Sequence, residues 1–264
     1  MPLPQGPAII TGGSSGIGLA TALRLAERGH PVALIARNPA LLHEAAQRIR
    51  AQSPGLPVHV EAADVTDAAG LTAAIQRCVD ALGPPGMLVC SAGITVPGRF
   101  ADIAPEAHLD VMNVNYFGCL NALRATLPHL LPKGRIGLIS SAAGLSGLYG
   151  YSAYAPSKFA LRGLAEVLRV ELAPTGIGVT LCMPPDTDTP QLTAELPLRP
   201  AVTSRMAALG GVLSADQVAT ALIRGMAANR FLVLPGMSIK ALHLFGGLAG
   251  PPMRWLQAWY LRRS

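Results

Sequence analysis

The chain has 264 residues, enough at about 150 per domain for one large domain or two small ones. Only 14% of residues are charged, against about 25% in an ordinary soluble domain, while 50% are hydrophobic, which excludes a disordered chain. The formal net charge is +6, but the arginines are scattered from Arg24 to Arg263 with no basic run and no interleaved aromatics, so nucleic acid is not an expected partner.

Short β-branched or aliphatic runs alternate with helical patterns, which predicts an α/β protein with a Rossmann-type doubly wound parallel sheet of about seven strands and helices on both faces. The expected strands are Ala8–Thr11, Val32–Ala36, Val58–Ala62, Met87–Cys90, Arg135–Ser140, Val179–Met183 and Phe231–Leu234. The first helix should run from about Ser15 to Arg28, with Arg24, Glu27 and Arg28 outward and Ile17, Ala20 and Leu23 toward the sheet, and Gly29 should end it. Asn38-Pro39 and Asp67 start the second and third helices, and Gly83-Pro84-Pro85 stops the third. No linker divides residues 1–237, which form one domain. Within it, residues 186–213 read as a long proline- and glycine-bearing connection, placed as a lid. Residues 238–264 form an apolar tail tipped by Arg254, Arg262 and Arg263.

The four cysteines, Cys78, Cys90, Cys119 and Cys182, lack CxxC spacing and partner histidines, so neither a disulfide framework nor a metal site is expected. The first ten residues show no secretory pattern, and the uncharged stretch from Ile136 to Ser157 is too rich in Gly, Ser and Tyr for a membrane span. Reduced thiols in a cytoplasmic chain are the expectation.

Thr11-Gly12-Gly13-Ser14-Ser15-Gly16-Ile17-Gly18 joins the first strand to the first helix. In that context glycines permit a tight turn and close approach of a pyrophosphate to the helix N-terminus. The same residues match G-x-S-x-G, the nucleophile elbow of serine hydrolases, with Ser14 as nucleophile and His129 or His243 as base. That alternative is disfavoured because most of the sheet would follow the nucleophile. Ala36 stands where an NAD site normally has an acidic residue, and Arg37 follows with donors suited to a 2′-phosphate, which favours NADP(H). Tyr154 and Lys158 share a helix face at i, i+4, and with five tyrosines and three lysines such a pair arises by chance in roughly 0.06 of such chains. A nearby Lys158 ammonium, with the charge of an oxidised nicotinamide, would favour the phenolate and bring a phenol of pKa about 10 toward the range of acid–base work.

On the TGGSSGIG turn, Asp64-Val65, Asn115, Ser141 and Tyr154-x-x-x-Lys158, the chain from about Ala8 to Leu234 resembles the short-chain dehydrogenase/reductase family. The resemblance implies a catalytic tetrad of Asn115, Ser141, Tyr154 and Lys158. Tyr154 would donate the proton and Ser141 orient the substrate oxygen. Lys158 would bind the nicotinamide ribose and lower the tyrosine pKa, and Asn115 would support a relay water. It further implies an NADPH/NADP+ site made by Thr11, Gly12, Ser14, Ser15, Gly16, Ile17, Gly18, Arg37, Asp64, Val65, Ala92, Gly93, Tyr154, Lys158, Pro184 and Thr187. Cys90-Ser91-Ala92-Gly93 departs from the family's usual Asn-Asn-Ala-Gly. A homo-oligomer is implied as well, since members commonly pair through the helix that carries the tyrosine.

Pro184-Pro185-Asp186-Thr187-Asp188-Thr189-Pro190, with residues 151–172, is similar to the branch of the family that reduces 3-ketosphinganine to sphinganine with NADPH. A lipophilic amino ketone is the implied substrate. Asp186 or Asp188 would face its ammonium, and Leu192, Leu196, Leu198, Val202, Met206 and Leu209 its alkyl chain. Trp255, Trp259, Tyr260 and the arginines of the tail resemble an interfacial helix, so peripheral membrane contact through 238–264 is expected without a spanning anchor. Two alternatives stay open. One is reduction of another lipophilic carbonyl, such as a steroid, retinoid or 3-oxoacyl compound. The other is a non-catalytic NADP(H)-binding regulator.

Overall fold

A computed structural model describes residues 3–262, apart from the side chains of 246–251 and 253. Arg263 therefore lies outside the described residues. The chain runs β1 (Ala8–Thr11), α1 (Gly16–Ala26), β2 (Val32–Ala36), α2 (Pro39–Gln52), β3 (Val58–Ala62), α3 (Ala68–Leu82) and β4 (Met87–Cys90). It continues through α4 (Pro105–Met112), α5 (Gly118–Thr126), β5 (Arg135–Ile139), α6 (Tyr154–Glu171) and β6 (Gly178–Cys182). The last part holds β7 (Asp186–Asp188), α7 (Pro190–Glu195), α8 (Ala201–Ala208), β8 (Val212–Ser214), α9 (Ala215–Ala227), β9 (Leu232–Val233) and α10 (Met237–Leu261).

Seven strands form one parallel sheet in the order β3-β2-β1-β4-β5-β6-β9, so the direction of winding reverses between β1 and β4. Each expected strand is present with its ends shifted by no more than one residue. Alternation along the strands supplies two cores. Ile9, Ile35, Leu88 and Leu138 pack on one face with Leu71, Ile75, Leu123 and Leu161 of α3, α5 and α6. Ile10, Leu34, Val89 and Cys182 pack on the other with Leu25, Leu42, Ile49 and Leu222 of α1, α2 and α9. All four cysteines are buried and unbridged.

Local chemistry sets the helix starts. Asn38 Oδ1 accepts from the Ala40 and Leu41 N–H groups at 2.9 and 3.3 Å, with Pro39 in the first turn, and Asp67 accepts from Gly70 at 3.0 Å. The face of α1 toward the sheet is wider than expected. Leu19, Ala22, Leu25 and Ala26 are buried, Ile17 and Leu23 are partly buried and pack against the same core, and Ala20 is partly covered. The helix also has a second neighbour. Arg24 of α1 makes a two-pronged pair with Asp216 of α9, at 2.5 and 2.7 Å, so its flank faces another helix as well as water.

The expected connection at 186–213 carries secondary structure. β7 pairs in parallel with β8, from Asp186 opposite Val212 to Asp188 opposite Ser214, and α7 and α8 lie between them. The prolines that suggest a loop sit at helix starts instead: Pro190 in the first turn of α7, Pro200 capping α8. The tail does not stand apart from the domain either. Ile239 is buried, Ser238 Oγ donates to the Gly210 carbonyl at 2.7 Å, and the buried Gln257 accepts from the Tyr149 N–H at 2.7 Å. A boundary at residue 237 thus falls inside a packed surface. Among the described residues no helix is long and apolar enough to cross a membrane.

Candidate active site

A cleft of about 1080 Å³ opens at the carboxyl ends of the sheet strands, where the winding reverses. Open α/β sheets bind ligands at this switch point. One end is lined by Gly12, Ser14, Ser15, Gly16 and Ile17. Gly12 has φ +69°, and a Cβ on it would lie 2.6 Å from the Ala92 nitrogen. A Cβ on Gly18 would lie 2.2 Å from the Gly12 carbonyl oxygen, so the turn closes on the helix only without a side chain there. Ser15 precedes α1 without a side-chain capping bond, which leaves the first-turn N–H groups of α1 open toward the cleft. These features fit a pyrophosphate. Farther along, Arg37 lines the cleft beyond Ala36 and makes no hydrogen bond or ion pair among the described residues. Asp64 and Val65 form the adjoining wall. Asp64 accepts from the Thr66 N–H at 2.9 Å, which with the neighbouring Arg37 holds its carboxyl below the usual range, and Asn121 donates to the Val65 carbonyl at 2.9 Å.

At the centre of the cleft Tyr154 opens α6, and Lys158, one turn on, is 4% exposed with its Nζ 5.4 Å from the tyrosine ring centre. Lys158 donates to the Ile139 carbonyl at 3.2 Å, and burial lowers its ammonium to about 8. Ser141 follows β5, accepts from the Ala143 N–H at 3.1 Å and lines the cleft with Tyr154. The expected lowering rests on the ammonium together with the charge of an oxidised nicotinamide. From the protein's own residues, burial is the dominant effect and holds Tyr154 above the ordinary tyrosine range, with the neighbouring Ser141 opposing it.

Asn115 lies in a single wide turn of π-helix, Asn113–Phe117, that joins α4 to α5. It is fully buried behind the cleft and does not line it. Its amide donates to the Ile94 carbonyl at 3.0 Å and to Ser157 Oγ at 2.9 Å, while its oxygen accepts from the Ile94 N–H at 2.8 Å. Asn115 thereby ties the segment after β4 to the first turn of α6.

The other end of the cleft is walled by the 184–210 segment and by α10, through Ser238, Ile239 and Leu242. Here Arg199, with a side chain 3% exposed, reaches Asp186 with two nitrogens at 2.5 and 2.8 Å and Glu195 with its Nε at 2.6 Å. The Tyr151 hydroxyl also donates to Glu195 Oε1, and the Tyr151 ring meets the Tyr154 ring edge-on at 5.3 Å. Burial and Glu195 together raise the Tyr151 phenol far above its ordinary value.

The profile of the short chain dehydrogenase family matches residues 7–197. The chain belongs to that family. The short-chain dehydrogenase/reductase from Burkholderia phymatum in complex with NAD superposes at TM-score 0.81 with 26% identity, over 95% of this chain and 97% of that one. The NADPH-bound short chain oxidoreductase from Pseudomonas aeruginosa gives 0.79 and 26%, over 89% and 98%. Curated relatives include a 3-dehydrosphinganine reductase of Arabidopsis thaliana, 39% identical over 88% of this chain and 70% of its own. The 3-ketodihydrosphingosine reductase of Bos taurus is 35% identical over 87% and 70%. This chain is accordingly a short-chain oxidoreductase.

Of the residues that the family resemblance points to, Ser141, Tyr154 and Lys158 share the cleft with Gly12, Ser14, Ser15, Gly16, Ile17, Arg37, Asp64, Val65, Ala92, Gly93, Pro184 and Thr187. Thr11 and Gly18 support the glycine turn without lining it, as Asn115 supports the centre. Asp188 is exposed and off the cleft. Asp186 lines it, but both its oxygens are taken by Arg199. Leu192, Met206 and Leu209 reach the cleft, whereas Val202 is buried elsewhere and Leu196 and Leu198 are exposed. Neither His129 nor His243 lines the cleft, so Ser14 has no nucleophile–base pair. Tyr151, Glu195 and Arg199 were not anticipated. The available signals were the i, i+3 spacing of Tyr151 to Tyr154 and the i, i+4 spacing of Glu195 to Arg199.

Proposed function

We propose that this protein reduces the ketone of 3-ketosphinganine to sphinganine with NADPH. The observation that carries the proposal is a single cleft that runs from the glycine turn, past Ser141, Tyr154 and Lys158, to a wall holding both apolar and charged side chains. The curated relatives named for this reaction support the substrate. Arg37, which makes no hydrogen bond or ion pair among the described residues and follows Ala36 at the end of β2, supports NADPH over NADH.

The bound cofactor supplies hydride to the carbonyl carbon. Tyr154 gives its proton to the carbonyl oxygen, and a phenol carries that proton at neutral pH. Ser141 orients the same oxygen. Lys158 holds the nicotinamide ribose, and Asn115 acts as a positioning residue through Ile94 and Ser157. The test is conversion of 3-ketosphinganine in mixed micelles, followed by mass spectrometry of the product, with NADPH and NADH in parallel. Sphinganine formed preferentially with NADPH is expected. Reduction of a steroid, retinoid or 3-oxoacyl compound but not of 3-ketosphinganine would move the substrate to another lipophilic carbonyl. Cofactor binding without any turnover would leave a regulator.

Two further surfaces belong to this proposal. Leu244, Phe245 and Trp255 of α10 are exposed and support peripheral contact with a membrane, whose test is liposome co-sedimentation of the triple alanine variant. Phe159, Val167 and Val170 are exposed on α6 and support pairing of two copies, read by light scattering.

A further inference from the structure

We propose that Glu195 is the specificity-determining residue that receives the substrate's primary ammonium, in a socket made by Tyr151, Arg199 and Asp186. The proposal rests on the amino-ketone reading above and names the group that recognises the amine.

The socket contains two carboxylates against one guanidinium, which leaves one formal negative charge. All four side chains line the cleft. Arg199 places its Nε on Glu195 and its two terminal nitrogens on Asp186. Each oxygen of Asp186 thus has a donor. Glu195 differs. Its Oε1 accepts from both Tyr151 and Arg199, while Oε2 has no hydrogen bond among the described residues, in a residue only 7% exposed. A carboxylate oxygen with no donor among the described residues, on a side chain that lines a ligand cleft, is placed to accept from a bound cation.

The position suits a cation next to the reacting carbonyl. Tyr151 bridges Glu195 and the reaction centre, with its hydroxyl on the carboxylate and its ring against the Tyr154 ring at 5.3 Å. In a 2-amino-3-ketone the amine-bearing carbon is bonded directly to the carbonyl carbon. Its nitrogen must therefore sit beside the oxygen that Tyr154 protonates. Other cations on the cleft are placed for other work: Lys158 lies against Tyr154 and Arg37 lies at the nucleotide end.

The experiment compares 3-ketosphinganine with an analogue that keeps the chain, the ketone and the hydroxyl but has hydrogen in place of the amine. The expected result for Glu195→Gln, which retains an oxygen for Tyr151 and Arg199, is a fall of about 10- to 100-fold in kcat/KM for the amine and a change under about 3-fold for the analogue. Glu195→Asp should recover part of the loss. Binding of sphinganine to the NADP+-loaded protein by calorimetry reads the same contact without turnover, and there too Glu195→Gln should weaken it about 10-fold or more. Equal losses on both ketones, or no loss on the amine, would overturn the proposal while leaving the reductase standing. Glu195-dependent binding of sphinganine without turnover of 3-ketosphinganine would uphold the ammonium site and overturn the reaction instead.

Discussion

The nucleotide end of the cleft, from Gly12 to Gly93, and the substrate end, from Pro184 to Leu242, meet at Tyr154 but are held by different kinds of contact. The first is made of strand ends and tight turns, so its parts are fixed by backbone geometry a few residues long. The second is held by side chains far apart in sequence: Tyr151 with Glu195 across 44 residues, Tyr149 with Gln257 across 108. A fold built this way keeps the cofactor site constant while the substrate wall changes through few substitutions. Function is then set by sites placed on a common scaffold.

Separate variants can break each end without the other. The largest expected effect is on stability. Arg199→Met leaves two carboxylates without their partner in a buried site and should cost about 3–5 kcal/mol, seen as a lowered midpoint in urea. The nucleotide end should still bind NADPH in whatever fraction remains folded. At that other end, Arg37→Ala should raise the KM for NADPH by about 10- to 100-fold and leave NADH nearly unchanged, with no loss of stability. A similar rise for both cofactors would show that Arg37 does not read the 2′-phosphate.

The smallest effect concerns the centre that the two ends share. Lys158 sits at about 8 in the folded protein against an ordinary 10.5, so between those values the unfolded chain binds more protons. Stability of the cofactor-free protein should therefore rise with pH across that window from this group, by at most about 1.4 kcal/mol per pH unit. Cys78, Cys90, Cys182 and Tyr154, all raised, act the opposite way at alkaline pH. Subtracting the curve of Lys158→Met isolates the lysine. A flat difference across the window would contradict the burial effect.

The same contrast explains what was legible in the sequence. The seven strands and the caps at Asn38 and Asp67 are local patterns, and the glycine turn and the Tyr154–Lys158 pair are spacings within a turn or two. The pairing of α1 with α9 was not legible, because Arg24 and Asp216 lie nearly two hundred residues apart. Prolines at 190 and 200 carried a loop signal although they start helices. Asp186 and Asp188 could be named for their charge, but only tertiary pairing with Arg199 reveals that Asp186 is occupied and that Glu195 holds the open oxygen. Asn115 was legible as a residue but not in its placement, which a single π-helical turn sets.

The central claim is that the cleft reduces an amino ketone with Tyr154 as the proton donor. It is tested most directly by single-turnover consumption of bound NADPH with 3-ketosphinganine, in the wild-type protein and in Tyr154→Phe. The account predicts turnover in the wild type and a rate about 10² to 10⁴-fold lower in the variant, with NADPH binding and the folded state unchanged. An unchanged rate in Tyr154→Phe would remove the phenol from the mechanism, and no turnover by a wild-type protein that binds NADPH would contradict the substrate.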